Sequence, residues 1–96
     1  MKQYRLTPAA VQDLSSIWDY TADRWGLRQA EIYVGELRGA TERVADRPDR
    51  GRPCDEIRAG YRRYAIGSHL IFYVETDTTV DVIRILHQRM DPTRHF

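Results

Sequence analysis

The chain changes its hydrophobic periodicity once, at a loop that spans residues 47–56. Before the loop, apolar residues recur at spacings of three and four, which is typical of amphipathic helices. After the loop, apolar and polar residues alternate, or form short apolar runs between turn residues, which is typical of strands. The loop itself is dense in turn-forming residues. The sequence therefore predicts an α+β fold, with the helices before the loop and most of the sheet after it.

Two consecutive helices are predicted in the first half of the chain. Thr7 is a typical N-cap, and Pro8 suits the first helical position because its missing N–H needs no partner there. Gly26 is expected to end the first helix in a left-handed conformation, and Pro48 limits the second helix. Because only one or two residues join them, the helices are expected to form an antiparallel hairpin. The periodic apolar positions are Ala10, Leu14, Ile17, Trp18, Thr21 and Trp25, then Ala30, Tyr33, Leu37, Ala40 and Val44.

The sheet is predicted from one short strand before the helices and three strands after the loop. The predicted strands cover residues 4–6, 62–66, 69–75 and 80–86. The turns at Gly67-Ser68 and at residues 77–79 are short, so consecutive strands are expected to pair antiparallel. The predicted architecture is a single domain over residues 1–96, in which an N-terminal helical hairpin packs on one face of an antiparallel β-sheet.

Length, composition and cysteine content limit the class of protein. Ninety-six residues with 42% hydrophobic and 30% charged side chains suit one soluble globular domain. No signal peptide is evident and no segment approaches the ~20 apolar residues of a membrane span, so a cytoplasmic protein is expected. Cys54 is the only cysteine, which leaves no intrachain disulfide. The three histidines are scattered, so neither a metal site nor a cofactor is predicted.

Positive charge is concentrated in the middle of the chain. The net charge is only +1, but residues 47–70 carry six arginines against three acidic residues, whereas residues 1–46 carry six basic and seven acidic side chains. This local excess is weaker than the basic stripe of a DNA-binding domain, so direct sequence-specific DNA binding is not expected. The excess suits a surface that meets an acidic peptide or an acidic protein.

The last predicted strand ends in a polar segment that is a candidate working surface. Residues 82–91 run from an apolar strand into a patch that holds His87, Arg89 and Asp91, and only five residues follow. A strand end of this composition is suited to contact a partner. The alternative is a solvated strand end without a function, and these ten residues alone favour neither interpretation.

Several local motifs follow one another along the whole chain. They are Thr7-Pro8-Ala9-Ala10, Asp13-Leu14, residues 17–21, Trp25, Pro48, residues 55–58, 60–64 and 69–73, and residues 84–91. This ordered set resembles toxins of the ParE branch of the RelE/ParE superfamily, from bacterial type II toxin–antitoxin modules. The resemblance implies a protein that poisons DNA gyrase by trapping it on cleaved DNA. It also implies a ParD-type antitoxin whose C-terminal half wraps the toxin at the groove between the helical hairpin and the sheet.

The resemblance and the side-chain chemistry suggest two binding surfaces. The candidates for contact with gyrase are Arg84, His87, Arg89 and Met90, together with Arg94, His95 and Phe96 of the tail. The candidates for contact with the antitoxin are Trp18, Trp25, Tyr33, Tyr61, Arg62, Arg63 and Tyr73. Their aromatic rings could line a groove, and their guanidinium groups could receive acidic side chains through paired N–H···O bonds. The alternatives are core positions for the tryptophans and tyrosines, a solvated strand face for the arginines and a frayed end for the tail.

A ribosome-dependent mRNA endoribonuclease of the RelE type is the alternative function, because the same fold hosts both mechanisms. That chemistry needs cations near the transition-state charge and a proton carrier. The candidates would be Arg62, Arg84, Arg89 and Arg94 with His87 and His95. The nearly neutral net charge, the absence of lysine from residues 47–56 and the acidic Asp91 favour a non-enzymatic gyrase inhibitor without catalytic residues. A non-toxic remnant that still binds its antitoxin is a third hypothesis.

Overall fold

A computed structural model describes residues 2–96 as two helices on a five-stranded sheet. The elements are β1 (Gln3–Leu6), α1 (Pro8–Trp25), α2 (Leu27–Asp46), β2 (Arg52–Pro53), β3 (Tyr61–Ile66), β4 (His69–Glu75) and β5 (Thr79–His87). Short 3₁₀ turns at Pro48–Arg50 and Pro92–Arg94 complete the described chain. The strands lie in the order β1-β5-β4-β3-β2. Neither helix of residues 2–96 is long and apolar enough to cross a membrane.

The predicted α+β fold is confirmed, but its sheet is mixed rather than antiparallel. Strands β2 to β5 pair antiparallel, as their short connections predict. Strand β1 instead pairs parallel with β5, from Gln3 opposite Thr79 to Leu6 opposite Val82. The helical hairpin returns the chain to the end of the sheet where β1 begins, since the Lys2 N–H donates to the Ala45 carbonyl at 3.3 Å, and β3 and β5 therefore run in the same direction as β1. Strand β2 also lies inside the segment that the sequence predicts to be a loop.

The helical hairpin forms as its end signals predict. The Thr7 hydroxyl oxygen accepts a hydrogen bond from the Ala10 N–H at 3.1 Å, and Pro8 occupies the first turn of α1. Gly26 alone joins the two helices with φ of 94°, a backbone conformation that glycine adopts without strain. The main core lies between this hairpin and one face of the sheet. Its buried members are Ala10, Ile17, Leu37, Ala40, Val44, Ile71, Tyr73, Val80, Val82 and Ile85.

A smaller core covers the other face of the sheet. Cys54, Phe72 and Leu86 are buried there, under partly buried residues of the loop after β2 and under Phe96 of the tail. Burial raises the pKa of the Cys54 thiol, which keeps it protonated and unreactive. Each face of the sheet therefore carries a hydrophobic core.

Candidate functional site

A groove opens at the tip of the helical hairpin, between α1, the start of α2, the start of β4 and the end of β5. It consists of two adjoining cavities with volumes of about 530 and 490 Å³. Both cavities are lined by Tyr20, Thr21, His69 and His87. The first is also lined by Trp25, Gln29, Tyr33 and Ser68, and the second by Asp13, Ser16, Ile17, Ile85 and Met90. We call this feature the hairpin groove.

The walls of the hairpin groove expose large apolar side chains to solvent. Trp25 is 69% exposed and Tyr20 is 61% exposed, and Met90 is 47% exposed at the opposite end. Single exposed apolar residues are common on protein surfaces, but several that line one concave site indicate a site of interaction. The groove therefore has the composition of a docking site for another polypeptide.

The floor of the hairpin groove is a fixed chain of three aromatic side chains. The Tyr33 hydroxyl lies 2.6 Å from His69 Nδ1 and accepts the Ser68 N–H at 3.1 Å. The His69 ring packs edge-on against the His87 ring, with 5.3 Å between the ring centroids. Burial, reinforced by the proximity of His87, lowers the pKa of His69 to about 4 despite an opposing effect of Asp13. His69 is therefore neutral at physiological pH.

The turn between β3 and β4 holds this floor in place. Gly67 has a φ of 56°, and a Cβ atom at this position would lie 2.7 Å from Tyr33 Cε1. Only glycine both adopts this conformation readily and allows the Tyr33 ring to approach so closely. The tyrosine consequently joins α2 to the turn and to the first residue of β4.

An ion pair beside the hairpin groove joins α1 to the free edge of β5. Asp13 accepts hydrogen bonds from Arg84 Nε at 2.8 Å and Nη2 at 2.7 Å, and its Oδ2 also accepts the Ile85 N–H at 2.8 Å. Strand β1 covers β5 only as far as Val82, so Asp13 satisfies an edge donor that no strand reaches. Hydrogen bonding to Asp13 raises the pKa of Arg84, which keeps this guanidinium charged and already paired.

The seven residues predicted to contact gyrase lie in different environments. His87 and Met90 line the hairpin groove, and Arg89 and Arg94 are exposed. The Arg84 guanidinium is held by Asp13, so it is not a free cation. The carbonyl of His95 accepts a weak hydrogen bond from Arg84 Nη1 at 3.4 Å.

The aromatic ring at the end of the tail lies away from the hairpin groove. Phe96 packs edge-on against Phe72 and Tyr61, with centroid distances of 5.2 and 5.7 Å. It therefore belongs to the smaller core on the sheet face opposite the helices. The alternative interpretation of a frayed tail does not describe this packed residue.

The residues predicted to contact the antitoxin also separate into groups. Trp25 and Tyr33 line the hairpin groove, and Trp18 is half-buried on α1. Tyr61, Arg62 and Arg63 lie half-buried on β3, away from the groove lining. Arg62 Nη1 donates to the Gly51 carbonyl at 2.7 Å.

Tyr73 does not belong to a binding surface, contrary to the prediction. It is 0% exposed, and its hydroxyl donates to the Pro48 carbonyl at 2.6 Å and accepts the Gly51 N–H at 2.8 Å. The hydroxyl is therefore fully used in fixing the segment that follows α2. A buried tyrosine needs such partners for its polar atom, and here the chain itself supplies them.

Sequence reasoning missed three residues of the site, namely Asp13, Tyr20 and His69. Asp13 lies between Ala10 and Leu14 on the apolar stripe of the first helix, and a carboxylate at such a position needs a partner. Tyr20 is a large aromatic residue outside that stripe, which signals an exposed contact residue. His69 carries no comparable local signal, since its role depends on Tyr33 and His87, which are distant in sequence. Within residues 2–96, no group of three His, Cys, Asp or Glu side chains could hold a metal ion.

Comparison with known proteins identifies the family of the chain. Residues 4–92 match the model of a family described as the ParE toxin of the type II toxin–antitoxin system parDE. The chain belongs to the ParE toxin family. The resemblance to ParE toxins that the ordered motifs indicated is therefore confirmed over almost the whole chain.

Named ParE toxins are similar to this chain along nearly their full length. Toxin ParE1 of Mycobacterium tuberculosis is 54% identical over 94 residues, which cover 97% of this chain and 96% of the relative. Toxin ParE1 of Caulobacter vibrioides is 46% identical over 95 residues, with 99% and 98% coverage. A solved structure described as a chromosomal ParDE toxin–antitoxin system from P. aeruginosa has a TM-score of 0.79 at 17% identity, covering 91% of this chain and 96% of that chain. This last similarity supports the α+β fold of the ParE family.

Proposed function

We propose that this ParE-family toxin binds DNA gyrase in the cytoplasm, stabilises the covalent DNA cleavage complex, and is neutralised by a ParD-type antitoxin. The observation that carries the proposal is the 54% identity to a named ParE toxin over 97% of the chain. The hairpin groove gives the proposal a physical basis. It is a concave site with exposed aromatic walls, which is the kind of surface that a polypeptide partner covers.

The proposed gyrase surface is the segment that follows β5. Arg89 and Met90 are exposed there, next to His87, and Arg94 is exposed one turn further along the tail. Exposed guanidinium groups beside an apolar side chain are suited to an acidic or phosphate-bearing target, since arginine binds both groups through two parallel hydrogen bonds. Arg84 would support this surface indirectly, by holding the end of β5 against α1 through Asp13.

The proposed antitoxin surface is the hairpin groove, with Trp25 and Tyr33 as its aromatic contacts. Trp18 lies on the same helix as Trp25, and Tyr61, Arg62 and Arg63 would contact the antitoxin beyond the groove. A segment lying in the groove would cover His87 and Met90, which also belong to the proposed gyrase surface. This overlap provides a mechanism of neutralisation, because the antitoxin and gyrase would compete for the same side chains.

A non-enzymatic action agrees with the state of the groove's ionisable side chains. The half-buried Arg84 is neutralised by Asp13, so its charge is not available to stabilise a transition state. His69 is neutral and hydrogen-bonded to Tyr33 through Nδ1. The pairing of Arg84 thus removes one of the four arginines considered for phosphodiester cleavage of the RelE type, which favours a binding surface.

The proposal is tested by expressing the toxin from an inducible promoter in a bacterial host. We expect growth arrest with a DNA-damage response, and we expect both effects to be abolished by Arg89→Ala combined with Arg94→Ala, which leaves Phe96 packed on Phe72. Arg43→Ala is the matched control, because this exposed arginine lies in the last turn of α2, away from the hairpin groove. Binding of the antitoxin by the variant shows that it still folds. Full toxicity of the double variant would exclude this segment as the gyrase surface.

A further inference from the structure

The two histidines on the floor of the hairpin groove hold their protons on the same nitrogen. The Tyr33 oxygen accepts the Ser68 N–H, and within residues 2–96 the hydroxyl has no acceptor for its own proton other than His69 Nδ1, so we assign that proton to the hydrogen bond with His69. Burial raises the pKa of the Tyr33 hydroxyl, which keeps that proton in place. His87 Nδ1 accepts the Arg89 N–H at 3.1 Å. In a neutral imidazole that accepts through Nδ1, the proton is on Nε2. Both rings are therefore Nε2–H donors.

These two donors are available to a ligand. Within residues 2–96, Nε2 of His69 and Nε2 of His87 form no hydrogen bond. Neither nitrogen atom is buried without a hydrogen-bond partner. Each half-buried ring thus reaches solvent at Nε2, and the solvent at both residues is that of the hairpin groove. The ring centroids lie 5.3 Å apart and both residues line both cavities, so a ligand in the groove lies beside both rings.

The charges around the hairpin groove favour an acidic ligand. Arg24 lies over the Tyr20 ring, with its guanidinium carbon 5.5 Å from the ring centroid, and Arg89 follows His87 by two residues. Neither arginine forms an ion pair in the part of the chain that the structure describes. Asp13, the carboxylate that lines the groove, is paired with Arg84, although its charge still acts on His69. A carboxylate entering the groove would therefore meet hydrogen-bond donors and free cations.

We propose that His69 and His87 form a carboxylate-binding site, which an acidic side chain of the antitoxin occupies when the antitoxin lies in the hairpin groove. The inference rests on the proposed pairing with a ParD-type antitoxin. The carboxylate accepts the two Nε2–H groups, while Tyr20 and Trp25 pack against a large apolar residue next to it. The expected recognition element is one acidic residue beside one large apolar residue.

The test uses His87, because His69 is also needed for the fold of the β3–β4 turn. In His87→Gln the side-chain amide can occupy the position of Nε2 and keeps an N–H donor, whereas His87→Phe keeps a ring but has no donor. The affinity for the purified antitoxin encoded beside the toxin is measured by calorimetry at pH 7.5. We expect His87→Phe to weaken binding about tenfold or more, and His87→Gln to stay within about threefold of wild type.

Substitutions in the antitoxin identify the chemical group that binds. Each Asp or Glu in its C-terminal half is changed to the amide, and we expect one such change to weaken binding to the wild-type toxin but not to His87→Phe. Equal affinities of wild type and His87→Phe for the antitoxin would overturn the carboxylate site but not the proposed pairing with the antitoxin. A loss with His87→Phe that no amide substitution reproduces would also overturn it, since the ligand would then be a neutral carbonyl. If the wild-type toxin does not bind the antitoxin, the proposed pairing fails and this inference fails with it.

Discussion

At the scale of single residues, burial explains why His69 is neutral in the folded chain. Its Nδ1 accepts from Tyr33 and its ring packs against His87, and burial lowers its pKa from 6.5 to about 4. In the unfolded chain the same imidazole takes up a proton near pH 6.5. The contribution of His69 to the free energy of unfolding is therefore fully present above pH 6.5, and it is lost as the pH falls from 6.5 towards 4.

We predict that His69→Asn makes the stability of the protein less sensitive to pH in this range. The asparagine carbonyl can still accept the Tyr33 proton, but it does not titrate. Urea unfolding at pH 7.5 and pH 4.5 measures the loss of unfolding free energy for each protein. We expect a smaller loss for the variant than for wild type, with the other titrating groups common to both. An equal loss in the two proteins would show that the folded state does not depress protonation of His69.

At the scale of secondary-structure elements, the Asp13–Arg84 pair connects α1 to β5, and Arg84 also contacts the tail. The Asp13 side chain is 12% exposed and that of Arg84 is 21% exposed, so the pair is largely shielded from water. A pair of this kind is destabilised strongly by the removal of one partner, because the remaining charge is left without compensation. The Ile85 N–H at the uncovered edge of β5 adds a backbone bond to the same carboxylate.

We predict that Asp13→Asn lowers the unfolding free energy by about 2 kcal/mol, since the amide can accept one hydrogen bond but cannot pair with the Arg84 charge. Asp19→Asn on the same helix is the control, and it should change stability by less than about 0.5 kcal/mol because Asp19 is exposed. Both are measured by urea denaturation at pH 7.5. Equal stabilities of the two variants would contradict a structural role of the ion pair.

Elements with local end signals were predictable, whereas their long-range arrangement was not. Thr7, Pro8 and Gly26 bound the hairpin through contacts within a few residues, so the sequence alone indicated both helices. The parallel pairing of β1 with β5 joins Gln3 to Thr79, and no local pattern encodes a partner so distant in sequence. The Arg84–Asp13 pair is missed for the same reason, since 71 residues separate its members.

At the scale of the whole molecule, the helices and the loop-and-tail layer cover opposite faces of one sheet. The hairpin groove remains open at one end of this arrangement, where exposed Trp25 and Tyr20 have no apolar partner layer. The polar segment after the last predicted strand indicated exposed side chains near Arg89 and Met90, and both residues are exposed. The sequence did not predict that Tyr73 is buried or that Phe96 packs on the sheet, since both depend on the register of β3 and β4.

We propose that this ParE-family toxin acts on gyrase and not on ribosomes. The most direct measurement incubates the purified toxin with DNA gyrase, ATP and supercoiled plasmid, beside a parallel reaction with ribosomes programmed with mRNA. We predict linear plasmid that appears only after treatment with detergent and protease, which identifies a trapped covalent cleavage complex, and intact mRNA. Intact plasmid together with mRNA cut inside the ribosomes would contradict the account and favour a RelE-type endoribonuclease.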